Sequence, residues 1–228
     1  YIDYLEINKV PVIGIKRTNE GIDLNELEQI FQTGKIKFFY TIPRYHHPLG
    51  TSYSKDEKEK IALLAKKYNV FIVEDDYLAD LETDSKADPL YSLDNCSHVI
   101  YLKSYSKIIF PGLRVGVAVI PPSIANAFYT YKKILDIDSP MISQAALEIY
   151  IKSGMFERHK SKINSSYYNR SIKLAETLEK VQNEDPSLFT YNRQNTFGIH
   201  TCLEMQKNTV TETLIQKLGD MQISVDTI

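Results

Sequence analysis

Val70-Phe71-Ile72-Val73-Glu74-Asp75-Asp76-Tyr77 is the stretch on which the fold turns. Its first four residues are apolar with no polar alternation, as expected of a strand buried on both faces of a parallel sheet. The three acidic residues and the tyrosine then fall at the carboxyl end of that strand, where open α/β sheets bind their ligands. Immediately before it, Ser54 and Glu57 have the spacing of a capping box and predict a helix with Ile61, Leu64 and Ala65 on its apolar face, closed by Asn69. A helix leading into a buried strand is the repeating unit of an α/β sheet layered by helices.

The same pattern extends in both directions. Val99-Ile100-Tyr101-Leu102 and 115–120 (Val-Gly-Val-Ala-Val-Ile) read as further buried strands, and 37–41 as another that Pro43 halts. Val10 to Ile15 is β-branched and apolar, which predicts a strand. Asn19-Glu20-Gly21 is a turn, and Asp23 with Glu26 opens a helix through Ile30 or Phe31. After Pro121-Pro122 the chain becomes helical. Ser123 is expected to cap a helix to about Leu135, and a second runs from Ser139 to Ser153, ended by Gly154. A long amphipathic stretch from Phe156 to about Val181 carries Ile163, Tyr167, Leu174 and Leu178 on one side. Residues 189–203 read as strands, with His200 as a strand residue, 209–218 as a helix, and 223–225 as the start of another strand.

The 228 residues are 43% hydrophobic and 25% charged, a globular balance. No apolar run approaches the length of a membrane span. A formal charge of −2 argues against a nucleic-acid surface within this stretch. Cys96 and Cys202 match no zinc or redox spacing, and two free thiols fit a reducing, cytoplasmic setting.

Three motifs arrive in order at strand ends or loops. They are Thr41-Ile42-Pro43-Arg44-Tyr45-His46-His47-Pro48-Leu49-Gly50, then Glu74-Asp75-Asp76-Tyr77, then Ser104-Tyr105-Ser106-Lys107 followed by Pro111-Gly112-Leu113-Arg114. Taken alone, the acidic run reads equally as a solvated loop or a magnesium site. Pyridoxal-phosphate (PLP) chemistry needs all three motifs together. It requires a lysine that forms an imine and shuttles a proton, and a carboxylate that keeps the pyridine nitrogen protonated. It also needs a phenol at the ring hydroxyl, and hydroxyl and guanidinium groups for the phosphate. Lys107, Asp75, Tyr77, and Ser104 with Arg114 supply these groups in turn.

Through these motifs, and through 143–154 with Glu157-Arg158-His159 and Tyr168-Asn169-Arg170, the chain resembles fold type I aminotransferases. It is most similar to the aminotransferase-like domain of MocR-type regulators of the GntR superfamily. The resemblance implies a mostly parallel sheet layered by helices, plus part of a smaller α+β domain. It divides the chain into 1–155 (part of a large cofactor domain), 156–182 (a connecting helix) and 183–228 (part of a small domain). It makes Lys107 the Schiff-base lysine, pairs Asp75 with the pyridine nitrogen, sets Tyr77 at the ring hydroxyl and places Ser104, Ser106 and Arg114 near the phosphate. Asp76 and His46 are expected to be structural. One position departs from the enzyme pattern: aminotransferases usually carry asparagine before the Pro-Leu-Gly, and here His47 stands in its place. MocR-type regulators often lack that asparagine.

The resemblance also implies chain beyond both ends: a winged helix-turn-helix module and a glycine-rich turn before Tyr1, and a carboxylate-binding arginine after Ile228. The expected partners are an amino acid or amine effector, DNA through the preceding module, and a second copy in a homodimer. A working PLP-dependent aminotransferase, acting on an amino acid and a 2-oxo acid, is the competing function.

Overall fold

The computed structural model describes residues 2–82, 87–94, 97–136, 140–191, 193, 199–205 and 212–223. In chain order the elements are α1 (Ile2–Ile7), β1 (Arg17–Thr18), β2 (Gly21–Ile22), α2 (Leu24–Gln32), β3 (Phe38–Thr41), α3 (Lys55–Tyr68), β4 (Phe71–Asp75), α4 (Leu90–Leu93), β5 (Val99–Ser104), β6 (Gly116–Val119), α5 (Pro122–Leu135), α6 (Met141–Lys152), α7 (Met155–Glu184), β7 (Phe189–Thr190), β8 (Glu204–Met205) and α8 (Glu212–Asp220). Two single-turn 3₁₀ helices, Ala79–Leu81 and Pro111–Leu113, follow β4 and β5.

The central sheet has the order β3-β4-β5-β6. The β3–β4 and β4–β5 pairs are parallel, with Tyr40 beside Val73 and Asp75 beside Leu102. β6 runs antiparallel to β5. The fold is therefore α/β with a mostly parallel sheet, as the Val70–Val73 run implies.

Helices α2 and α3 cover one face of the sheet. Their core contains Leu27, Phe31, Ile61, Ala65, Ile72, Leu90 and Val99. Burying a side chain of this size stabilises the fold by roughly 1.5–3 kcal/mol. Helix α3 begins where expected, with Ser54 and Glu57 bonded reciprocally, and ends at Asn69 in the left-handed conformation (φ 52°). Asp23 caps α2 by accepting from the Asn25 and Glu26 amides. A second cluster unites Tyr45, Leu78, Leu81, Ile108 and Phe156 with Tyr77, Ile163 and Tyr167, packing the 30-residue helix α7 under the turns that follow β4 and β5.

Several expectations need correction. Along β4 burial alternates: Ile72 and Glu74 are fully buried and the intervening residues only half so. β6 is an exposed antiparallel edge, with Val117 43% accessible, so it is not a strand buried on both faces. Val10 to Ile15 is irregular and Val10, Val12 and Ile13 are exposed, because no described strand lies beside it to complete a ladder. The hairpin falls instead on Arg17–Thr18 and Gly21–Ile22, around the expected turn. Ser123 lies inside the first turn of α5, whose cap residue is Pro121. Leu174 is exposed on α7. His200 belongs to no strand; β7 and β8 are two residues each. Ser139, Thr209 and 224–228 fall outside the described residues. Among the described residues, no helix is long and apolar enough to cross a membrane.

Candidate functional site

Parallel strands deliver their carboxyl ends to one edge, and the motifs meet there. Asp75 ends β4, Ser104 ends β5, and β6 returns antiparallel beside Ser104. Between them lies an open cleft of about 360 Å³ lined by Asp75, Tyr77, Leu102, Ser104 and the start of β6. Because side chains alternate along a strand, Asp75 faces away from the α2–α3 core into which Ile72 and Glu74 point.

Each group in the cleft is held. One Asp75 oxygen accepts from the Tyr40 hydroxyl at 2.6 Å. Burial nonetheless raises the Asp75 pKa above the ordinary carboxylate value, despite that bond and the Tyr77 amide. The Tyr77 hydroxyl lies 3.2 Å from the Tyr45 carbonyl and 3.2 Å from His200 Nε2. Burial and the Asp75 charge push its pKa up to about 12. Ser104 Oγ accepts from the Ser106 amide at 3.2 Å, which folds the turn leading to Lys107.

The neighbouring acids are structural. Asp76 is 1% exposed and meets Arg44 through two contacts, one of them Nε to Oδ1 at 3.0 Å. It also accepts from the Tyr101 hydroxyl at 2.9 Å. Glu74 accepts from the Leu90 and Tyr91 amides, both at 2.8 Å, and so supports the start of α4. Arg17 clamps the first motif from outside by donating to the Ile42 carbonyl and to both oxygens of Thr51, while stacking on Tyr53.

The first motif forms a tight loop closed by His46 and Thr51 main-chain bonding, with a cis His47–Pro48 peptide. His47 sits edge-on to His200, ring centres 4.7 Å apart. Burial, with nearby Arg17, His47 and His200, drives the His46 pKa down to about 4, and its Nδ1 is buried without a hydrogen-bond partner among the described residues.

The structure thus brings Asp75, Tyr77 and Ser104 together in one cleft. Lys107 lies exposed in the turn after β5, close enough to His200 to lower the histidine's pKa. Ser106 and Arg114 stand outside the cleft lining, Arg114 exposed and left-handed (φ 53°) at the end of a 3₁₀ turn. His47 reaches the site through His200. Sequence reading assigned no role to Tyr40, to Arg44 or to the contact made by His200. Once β3 and β4 are paired in parallel, Tyr40 and Asp75 fall near each other, so the register was the available signal.

The family model for class I and II aminotransferases matches residues 1–220. This chain belongs to that family. An uncharacterized HTH-type transcriptional regulator of Bacillus subtilis (strain 168), YcxD, is 48% identical to this aminotransferase-family chain over 227 residues, covering 100% of it and 51% of YcxD. Aromatic-amino-acid aminotransferase 1 of Thermococcus litoralis is 28% identical over 174 residues, covering 74% of this chain and 42% of that enzyme. Among solved structures, Pyrococcus horikoshii kynurenine aminotransferase, crystallised with PMP, superposes with a TM-score of 0.73 at 27% identity, over 88% of this chain and 50% of that one. The chain spans about half the length of the curated relatives it matches.

Proposed function

We propose that this chain is the PLP-holding, effector-sensing domain of a MocR-type, DNA-binding transcription regulator. One observation carries the reading. A cleft that groups Asp75, Tyr77 and Ser104 at the strand ends occurs in a chain 48% identical over its whole length to a regulator, against 28% for an aminotransferase of the same family.

The residue types match those the cofactor needs, and Asp75, Tyr77 and Ser104 share one cleft. Lys107 would supply the amine for covalent attachment, and Asp75 the carboxylate at the pyridine nitrogen. Tyr77 would supply the phenol at the ring hydroxyl, with His47 on the same side. Ser104, Ser106 and Arg114 would supply phosphate donors. When bound, PLP supplies an electron-withdrawing ring for amino-group chemistry. Asp75 carries a raised pKa in its half-buried place, and a cation opposite it favours the ionised form. Tyr77 keeps its proton at neutral pH, so its oxygen meets the ring hydroxyl as an uncharged phenol. In this reading 1–155 belongs to the large domain, 156–182 connects, and 183–228 belongs to the small domain. The protein is a cytoplasmic homodimer that meets DNA through a module outside this chain. An amino acid or amine acts by binding one of two conformations more tightly, because only differential affinity shifts an equilibrium.

The intact donor set favours a second reading, a working aminotransferase in which Lys107 Nζ carries a proton to and from the substrate α-carbon. The test mixes intact, PLP-loaded protein with a panel of amino acids and amines, with Lys107→Ala as control. A regulator gives an absorbance change that stalls without release of a 2-oxo acid, together with altered DNA affinity. Complete amino-group transfer, reversed by a 2-oxo acid and with DNA affinity unchanged, establishes the enzyme and overturns the sensor.

A further inference from the structure

We infer that His200 is a positioning residue for the Tyr77 phenol, tying a segment 123 positions away to the candidate cofactor site. Its functional meaning rests on the PLP reading above. The geometry of the bond does not.

The hydroxyl of Tyr77 has one proton and, among the described residues, two partners, the Tyr45 carbonyl at 3.2 Å and His200 Nε2 at 3.2 Å. A carbonyl can only accept, and Tyr45 is 1% exposed, so this acceptor is fixed. The phenol proton therefore goes to Tyr45, and His200 must carry its hydrogen on Nε2 and donate it to the phenol oxygen. The His200 ring also meets His47, edge-on at 4.7 Å. The backbone is held as firmly. Gly50, at φ +74°, lies so close that a Cβ there would collide with the His200 carbonyl oxygen. Residue 200 is thus pressed onto the Thr41–Gly50 motif by its main chain and onto the second motif by its ring.

The titratable groups around His200 are Tyr77, His47, His46 and Lys107. Burial, with His47 and Lys107 nearby, lowers the His200 pKa, which keeps the imidazole neutral at neutral pH as one-sided donation requires. A phenol held at both its proton and its oxygen has one orientation. Without His200 the hydroxyl keeps one tether and the ring gains freedom about its axis.

Two measurements on the intact protein test this. The first is ¹⁵N NMR of the histidine rings without cofactor, the His200 signal being identified by its loss in His200→Gln. The expected result is an Nε2-protonated tautomer whose Nε2 resonance shifts in Tyr77→Phe. A tautomer protonated on Nδ1, or a signal indifferent to Tyr77→Phe, overturns the inference. The second is PLP titration of His200→Leu, His200→Gln, Tyr77→Phe and the His200→Leu/Tyr77→Phe pair. Loss of one hydrogen bond predicts about fivefold to tenfold weaker binding in His200→Leu. Gln, whose amide donates from the same reach, restores most of it, and the loss disappears in the Tyr77→Phe background. An equal loss in both backgrounds would mean that His200 acts by packing alone. A wild-type protein that takes up no PLP sinks the cofactor reading, while the ring-nitrogen signal still decides the His200–Tyr77 bond.

Discussion

Replacing Arg44 with methionine removes the partner of a carboxylate that water cannot reach. The Asp76 side chain is 1% exposed and that of Arg44 8%. In Arg44→Met, Asp76 keeps, among the described residues, the Tyr101 hydroxyl and its own main-chain surroundings as support. Breaking a buried pair from one side typically costs about 3–5 kcal/mol, because the remaining charge stays desolvated. Arg44 Nη1 also donates to the Ala87 carbonyl at 2.9 Å, so the estimate belongs in the upper half of that range. Adding Asp76→Asn removes the buried charge while leaving an acceptor for Tyr101, and is expected to return about 2 kcal/mol. Urea unfolding of the cofactor-free protein at neutral pH measures both changes. The exposed Lys55–Glu59 pair, whose side chains are 78% and 47% accessible, is the internal reference, with an expected cost below about 1 kcal/mol. If Arg44→Met costs no more than Lys55→Met, or if Asp76→Asn makes the double variant worse, the buried-charge reasoning fails.

Glu74 is raised by burial from its ordinary 4.5 to about 7, so the folded chain holds a proton that the unfolded chain releases between those values. Its contribution to stability is full below about 4.5 and is lost as pH rises through about 7; unfolding free energy against pH should lose that slope in Glu74→Gln. The same variant turns an amide donor toward the Leu90 or Tyr91 N–H and should be less stable by about 1–3 kcal/mol at acidic pH, where Glu74 is otherwise protonated. Gly50→Ala meets both a left-handed backbone and the His200 carbonyl, and thermal unfolding should show a loss of at least about 1–2 kcal/mol. Tyr40→Phe removes a donor from Asp75, raises the Asp75 pKa further and should weaken PLP binding about tenfold at neutral pH, with less effect as pH rises. Unchanged affinity there would detach Asp75 from the cofactor.

How far the sequence could be read follows the range of the interactions involved. The Ser54–Glu57 capping box, the Asn69 stop and the Phe71–Asp75 strand are set within a few residues, and they appear where expected. The grouping of Asp75, Tyr77 and Ser104 was also legible, because parallel strands send their carboxyl ends to one edge. The direction of β6 was not, since the apolar run 115–120 has the same pattern whichever way it pairs. Val10 to Ile15 has the composition of a strand, but a strand requires a neighbour. Tyr40 and His200 depend on register and on tertiary packing; the Gly50–His200 approach has no local signature beyond a glycine after Pro48-Leu49.

Covalent capture at Lys107 tests the central claim most directly. Intact protein and Lys107→Ala would be incubated with PLP and reduced with borohydride, and the pyridoxyl mass located by peptide mass spectrometry. One adduct per chain, on the Lys107 peptide and absent from the variant, is the predicted result. An adduct on another lysine, or none with PLP bound, would contradict the assignment of this site.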